Sequence, residues 1–242
     1  MKRRETMALV RRELAPRWGL PAETLMGAGV TLVPAEDVYF HMATFGDRTL
    51  VRAGRELYDW CAETLAGVSP DGLMDGETLY QVERKLRRHR HRLAGEHVRY
   101  VYVGGEAVPR PERYAYRLFE LGDMAALYRY PGFQSALNYR RDVLALGAFE
   151  GEALVALAGA DDLTSARLWQ IGIDVRDGSR RAGLAAYLVR QLAETVIGRG
   201  ALPFYTTWSA NLGATLTALR AGFLPGWVEY FAEPLPAQGA LG

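Results

Sequence analysis

A single cysteine, Cys61, excludes an intrachain disulfide and gives no argument for secretion. Lysine is nearly missing as well: Lys2 and Lys85 stand against a background in which arginine carries almost all positive charge. Asparagine is confined to Asn138 and Asn211, a bias that fits heat adaptation as well as genome composition. No uninterrupted apolar run reaches spanning length, and Met1-Lys2-Arg3-Arg4-Glu5 lacks the layout of a signal peptide. A net charge of +1 leaves no global field that would recruit nucleic acid or an acidic membrane. The histidines, His41, His89, His91 and His97, lack metal-site spacing. These absences lead us to expect a cytoplasmic protein with no metal, no membrane and no nucleic-acid partner.

What is present is most informative between Leu168 and Ala185. Ile171, Ile173 and Val175 alternate with Gly172 and Asp174, the period of a strand. Asp177-Gly178-Ser179 is turn chemistry, and Arg180-Arg181-Ala182-Gly183-Leu184-Ala185 then opens a helix that runs on through Leu188, Leu192 and Val196. A helix start presents unpaired N–H groups and the positive end of a dipole. Small residues at 182, 183 and 185 let a diphosphate approach those amides, and two arginines add forked donors. The segment reads as an anion cradle for a nucleotide-type cofactor. Downstream, Pro203–Trp208 reads as a strand and Asn211–Ala221 as a short helix closed by Gly222-Phe223. A last aromatic strand follows at Trp227–Phe231.

Here the chain resembles the GNAT superfamily of acyl-CoA-dependent N-acyltransferases. That family binds the coenzyme A diphosphate with Arg or Gln, two residues, Gly, one residue, then Gly or Ala, and Arg180, Gly183 and Ala185 match. Its later helix reads Asn, two residues, Ala, with Gly-Phe eleven and twelve residues after the Asn, matched by Asn211, Ala214, Gly222 and Phe223. The likeness covers about 118–242. It implies an α+β fold with a mostly antiparallel, mixed and splayed central sheet, in which coenzyme A wedges between the strands at 168–175 and 203–208. It also implies that pantetheine amides pair with the backbone near Ile173 and Val175, as an added strand would. Acetyl-CoA is the expected acyl donor. Residues 173, 175, 180–185 and Asn211 are the expected cofactor contacts.

The implied reaction is direct attack of a primary amine, from a small molecule or peptide, on the thioester. The amine must lose a proton, the oxyanion needs donors, and the thiolate leaves best if protonated. Many family members place that acid as a Tyr seven residues after the helix Asn, but Ala218 stands there. A carboxylate base early in the central strand is missing too, since Trp169 and Gln170 occupy that region. Asp174 is the strand's carboxylate and the first candidate base, or else it orders the turn at Arg176 and Ser179. Tyr205 and Ser209 are candidate acids, Tyr205 being equally a core residue. Asn211 lines the cofactor site or caps its helix. The missing acid and base keep a second reading open, a coenzyme-binding module without catalysis.

The chain divides near residue 110. Residues 1–110 read as a smaller α+β domain, either a degenerate acyltransferase-like half or an unrelated cap, with helices at Arg4–Leu14, Gly54–Leu65 and Glu77–Leu93. Strands are expected at Gly29–Val33, Val38–Phe45 and His97–Val103. Residues 111–242 read as the acyltransferase domain: a strand at Tyr116–Leu121, helices at Met124–Tyr130 and Phe133–Arg140, and a hairpin of Val143–Phe149 with Ala153–Ala160. Tyr128, Tyr130, Phe133 and Tyr139 either roof the acceptor site or pack a core. The run Arg84 to Arg92 reads as a solvated helix face partly balanced by Glu77 and Glu83, with nucleic-acid binding as its alternative. Cys61 sits at core spacing, and the terminal strands could join a homodimer.

Overall fold

A computed structural model describes residues 3–138 and 141–236. In chain order the elements are α1 (Arg3–Leu14), α2 (Ala22–Met26), β1 (Gly29–Ala35), β2 (Phe40–Thr44), β3 (Arg48–Gly54), α3 (Arg55–Thr64), α4 (Gly76–Arg88) and β4 (His91–Tyr102). Then come β5 (Ala115–Glu120), α5 (Met124–Leu127), β6 (Asp142–Glu150), β7 (Ala153–Ser165), β8 (Leu168–Val175), α6 (Leu184–Gly198), β9 (Leu202–Trp208), α7 (Leu212–Arg220) and β10 (Phe223–Pro234). The fold is α+β with mixed strand pairing, as the sequence leads one to expect.

Packing gathers these elements into two compact units, 1–14 with 99–226, and 15–98 with 227–242. The grouping does not follow chain order, because the division passes within β4 and within β10. In the smaller unit β1 runs parallel to β3, while β2 pairs antiparallel with β3 and with β10 from Val228 to Phe231. Phe40, Met42, Val51, Leu57, Cys61 and Leu86 are buried together in its core. Burial pushes the Cys61 thiol up to about 12, which fits packing rather than nucleophilic use. The helix expected through Leu93 ends at Arg88, since Arg90 turns into left-handed backbone (φ 58°) and β4 begins at His91. Strand β3 is not marked by the sequence pattern: it buries Thr49, Leu50 and Val51 in succession, without the alternation of a half-exposed strand.

In the larger unit β5, β6, β7 and β8 pair antiparallel in that order, and β9 joins β8 in parallel. Helix α6 packs across β6, β7, β8 and β9, burying Leu184, Leu188, Leu192 and Val196 at fourfold spacing. Near the sheet, residues 133–138 form turns where a helix over Phe133–Arg140 is expected; Tyr139 and Arg140 lie outside the described residues. The departure has a cause in side-chain chemistry. The N–H groups of Ser135 and Ala136 are taken by Asp174, and that of Asn138 by Asp142. Only the Leu137 N–H turns back to the Phe133 carbonyl, at 3.1 Å. In a helix starting at Phe133 the Ser135 and Ala136 N–H groups would lack an internal partner in any case; the donor intercepted is the Asn138 N–H, which Asp142 takes from the helical ladder.

Candidate coenzyme site

The site lies wholly within the larger unit and starts from a gap in the sheet. Strands β8 and β9 are in register from Leu168 with Leu202 to Ile171 with Tyr205, and pairing stops there although β8 runs on to Val175 and β9 to Trp208. On its other side β8 stays paired with β7 as far as Val175 with Ala156. The Arg176 N–H bonds to the Val155 carbonyl at 2.9 Å, which fixes the alternation: Asp174 and Gly172 turn their backbone groups toward β7. Ile173 and Val175 therefore aim theirs at the open side, beyond the last β9 partner. This is the splay that the family resemblance implied, and both residues expected there lie along it.

Just past this gap the chain enters α6. Gly183 is its N-cap, in left-handed backbone (φ 78°), and no side chain caps the helix. The first helical bond runs from Tyr187 N–H to the Gly183 carbonyl, so the preceding amides at 183–186 have no partner inside the helix. A Cβ added at Gly183 would meet nothing within 4 Å, which leaves the approach open. Arg180, Arg181, Ala182 and Gly183 are all exposed. Arg180 pairs with Asp177 at 2.9 Å and reaches the Val175 carbonyl with Nε at 3.4 Å. Arg181 is itself in left-handed backbone (φ 64°). Beside these amides lies a cleft of about 700 Å³, walled by Ala182, Gly183 and Ala186 on one side and by the 103–111 segment, Leu219, Arg220 and residues 222–224 on the others. Free amides, a dipole end, a flanking guanidinium pair and an adjoining cleft suit a phosphorylated ligand.

The candidate catalytic residues are distributed differently. Asp174 Oδ2 accepts from Ser135 N–H at 2.6 Å and from Ala136 N–H at 2.9 Å. It orders a segment, though not the 176–179 turn named from sequence. That segment lies against two glycines paired across β7 and β8, Gly159 and Gly172. A Cβ at Gly172 would lie 2.0 Å from the Ser135 oxygen, and one at Gly159 2.2 Å from the Ala136 oxygen. Tyr205 is 4% exposed and packs edge-on to Phe223; burial, with the Asp174 charge adding, pushes its hydroxyl up to about 12. Ser209 is exposed beyond the end of β9. Asn211 is the N-cap of α7, its oxygen accepting from Ala214 N–H at 3.1 Å. Ala218 is fully buried.

Two groups of functional interest are not singled out by the sequence. Asp142 and Asp161, register partners on β6 and β7, are buried and share Asn138: Asp142 accepts from its backbone and Asp161 from its side chain. Tyr128 donates to Asp142 at 2.8 Å, while burial holds both acids above the usual carboxylate range. The other is Arg190, 9% exposed on α6. Its signal was a lone arginine within an apolar helical stretch. In the smaller unit, Arg87 pairs with Glu83 and Arg92 with Glu233, leaving less of the basic run free than its sequence suggests. No group of three or more His, Cys, Asp or Glu among the described residues could hold a metal ion. No helix there is long and apolar enough to cross a membrane.

No family model matches the sequence, and no curated protein matches it. Solved structures do. The chain is similar to a GCN5-related N-acetyltransferase-like protein from Streptococcus suis 89/1591, at 17% identity and TM-score 0.49, covering 96% of this chain and 100% of that one. It is also similar to a GNAT-family acetyltransferase from Colwellia psychrerythraea, at 15% identity and TM-score 0.45, over 59% of this chain. That match spans 57% of the Colwellia protein's length. A further similar structure is yncA from Salmonella typhimurium, solved with its cofactor acetyl-CoA, at 15% identity and TM-score 0.39, over 54% of this chain and 99% of that one.

Proposed function

We propose that the protein binds acetyl-CoA and transfers its acetyl group to a primary amine of a small molecule or peptide. The observation that carries this reading is the coincidence of two open features along one strand and its following loop. β8 loses its β9 partner after Ile171, and a few residues later α6 starts without a cap. An extended amide-bearing arm fits the first, and a diphosphate fits the second. The residues that would hold the coenzyme are Ile173 and Val175 through backbone groups, and Arg180, Arg181, Ala182, Gly183, Leu184 and Ala185 around the amides. Bound there, the coenzyme supplies an acyl group activated as a thioester.

The chain's own contribution is binding, orientation and proton management. The backbone N–H groups of Ile173 and Val175, on the open side of β8, are donors for an oxyanion. Tyr205 keeps its proton at neutral pH, as its raised value requires, and is a donor rather than a base. Asp174 is engaged in holding residues 135 and 136, so we assign it a positioning role and leave proton removal from the amine to water.

The reading is tested by titrating coenzyme A and acetyl-CoA calorimetrically, then following free thiol release over a panel of amines. Micromolar binding with amine-dependent thiol release is the expected result. Absence of coenzyme binding refutes it. Tight binding with no turnover on any amine supports the second reading, a coenzyme-binding module, which the buried Ala218 and the engaged Asp174 favour.

A further inference from the structure

The 103–111 segment, which forms one wall of the cleft beside α6, has little regular structure of its own. Gly104 and Gly105 both take backbone that favours glycine (φ 83° and 153°), so the chain there has few intrinsic restraints. Side chains fasten it at both ends: Tyr116 OH donates to the Pro111 carbonyl at 2.8 Å at its close, and Arg190 holds its start. Arg190 donates Nη1 to the Glu106 carbonyl at 2.8 Å and Nη2 to the Gly105 carbonyl at 3.1 Å. Its Nε donates to Glu194 Oε1 at 2.9 Å, and Tyr102 OH donates to the same oxygen at 3.1 Å. The guanidinium also lies over the Tyr102 ring, 5.9 Å from its centroid. Where the segment starts, the Val103 N–H bonds to the Gly222 carbonyl at 3.0 Å. A Cβ at Gly222 would crowd both the Gly104 oxygen, at 2.9 Å, and Arg190 Nη1, at 3.2 Å.

Arg190 therefore sits seven residues, or about two helical turns, after Gly183 on the same rigid helix. It ties the far wall of the cleft to the element whose start bears the free amides. A forked donor is required, because two backbone carbonyls and a carboxylate must be met at once in fixed directions; an ammonium would satisfy them poorly. We infer that Arg190 is a positioning residue for the coenzyme: it holds the 103–106 wall in register with the α6 amides and so sets coenzyme affinity without touching the reacting atoms. The inference rests on the coenzyme reading given above and adds to it a residue outside the family pattern.

The test compares wild type, Arg190→Lys and Tyr102→Phe for coenzyme A affinity by calorimetry, with melting temperatures measured alongside. For any amine found to turn over, KM for acetyl-CoA and kcat are also measured. Arg190→Lys should raise Kd and KM by about tenfold with kcat within about twofold; Tyr102→Phe, which removes one bond to Glu194, should raise Kd about twofold to threefold. A folded Arg190→Lys protein with unchanged Kd overturns the inference, even if its melting temperature falls. So does a fall in kcat with KM unchanged. Should Arg190→Lys fail to fold, an unchanged Kd in Tyr102→Phe overturns it in the same way. Wild-type protein that ignores coenzyme A refutes the underlying reading itself, which keeps the two failures distinct.

Discussion

At the scale of single residues, Gly183 and Asp174 make opposite demands. Gly183 combines left-handed backbone with open space at its Cβ position, so a side chain there is strained but not clashing. Gly183→Glu should cost about 1–3 kcal/mol of stability from backbone strain alone. It should also weaken coenzyme A binding at least about fiftyfold, because it sets a carboxylate against amides that favour an anion. Calorimetry and denaturant unfolding of the same protein separate the two effects, and unchanged affinity would remove these amides from the site. For Asp174 the two bonds to Ser135 and Ala136 are decisive. An amide oxygen at 174 can still accept both, so under the proposed function Asp174→Asn should keep turnover within about threefold, whereas Asp174→Ala should lose about 1.5–3 kcal/mol and lower turnover. A kcat lowered about hundredfold in Asp174→Asn would return Asp174 to the role of candidate base. The sequence names Asp174 as either base or orderer of a turn. It cannot name the ordered partner, because Ser135 lies 39 residues away and only tertiary packing brings them together.

At the scale of elements, what is legible in the sequence depends on whether local pattern or distant contact decides the conformation. The β8–loop–α6 unit is legible because each part carries its own signal: alternation at 171–175, turn residues at 177–179, small residues at 182, 183 and 185 and a fourfold apolar stripe along the helix. The 133–138 segment is not, since its apolar spacing fits a helix but the β6 carboxylate Asp142 claims the Asn138 amide that a helix would bond internally. The extra length of β4 at its start is hidden for a similar reason, as Arg90 alone breaks a strongly helical run. The close approach of residues 135 and 136 to Gly172 and Gly159 makes this region sensitive to a single methyl group. Gly172→Ala should destabilise the protein by about 1–3 kcal/mol, the range of overpacking in a core, with a matching fall in the urea midpoint. A neutral Gly172→Ala would show that the segment can lift from the sheet at no cost.

For the whole molecule, pH provides a global readout of the buried acids. Burial raises Asp142 and Asp161, so the folded state holds their protons more tightly than the unfolded chain does. Stability from this source is complete below the ordinary carboxylate range and is lost as pH rises through the raised values. Asp161→Asn mimics the neutral acid at every pH. Relative to wild type it should therefore be most favourable at about pH 7 and lose that advantage as pH falls toward about 4. Urea unfolding at both values measures this, and a difference that does not change with pH contradicts it. The gap between β8 and β9 has a consequence of a different kind. A strand left unpaired along half its length inside a sheet is a weak seam, open to solvent and to any stray extended peptide. With nothing seated in it, the amides of Ile173 and Val175 should trade hydrogen for deuterium far faster than those of Ile171, one pair back. Filling the seam should slow them and raise the melting point together, so occupancy would be written into the protein's own endurance.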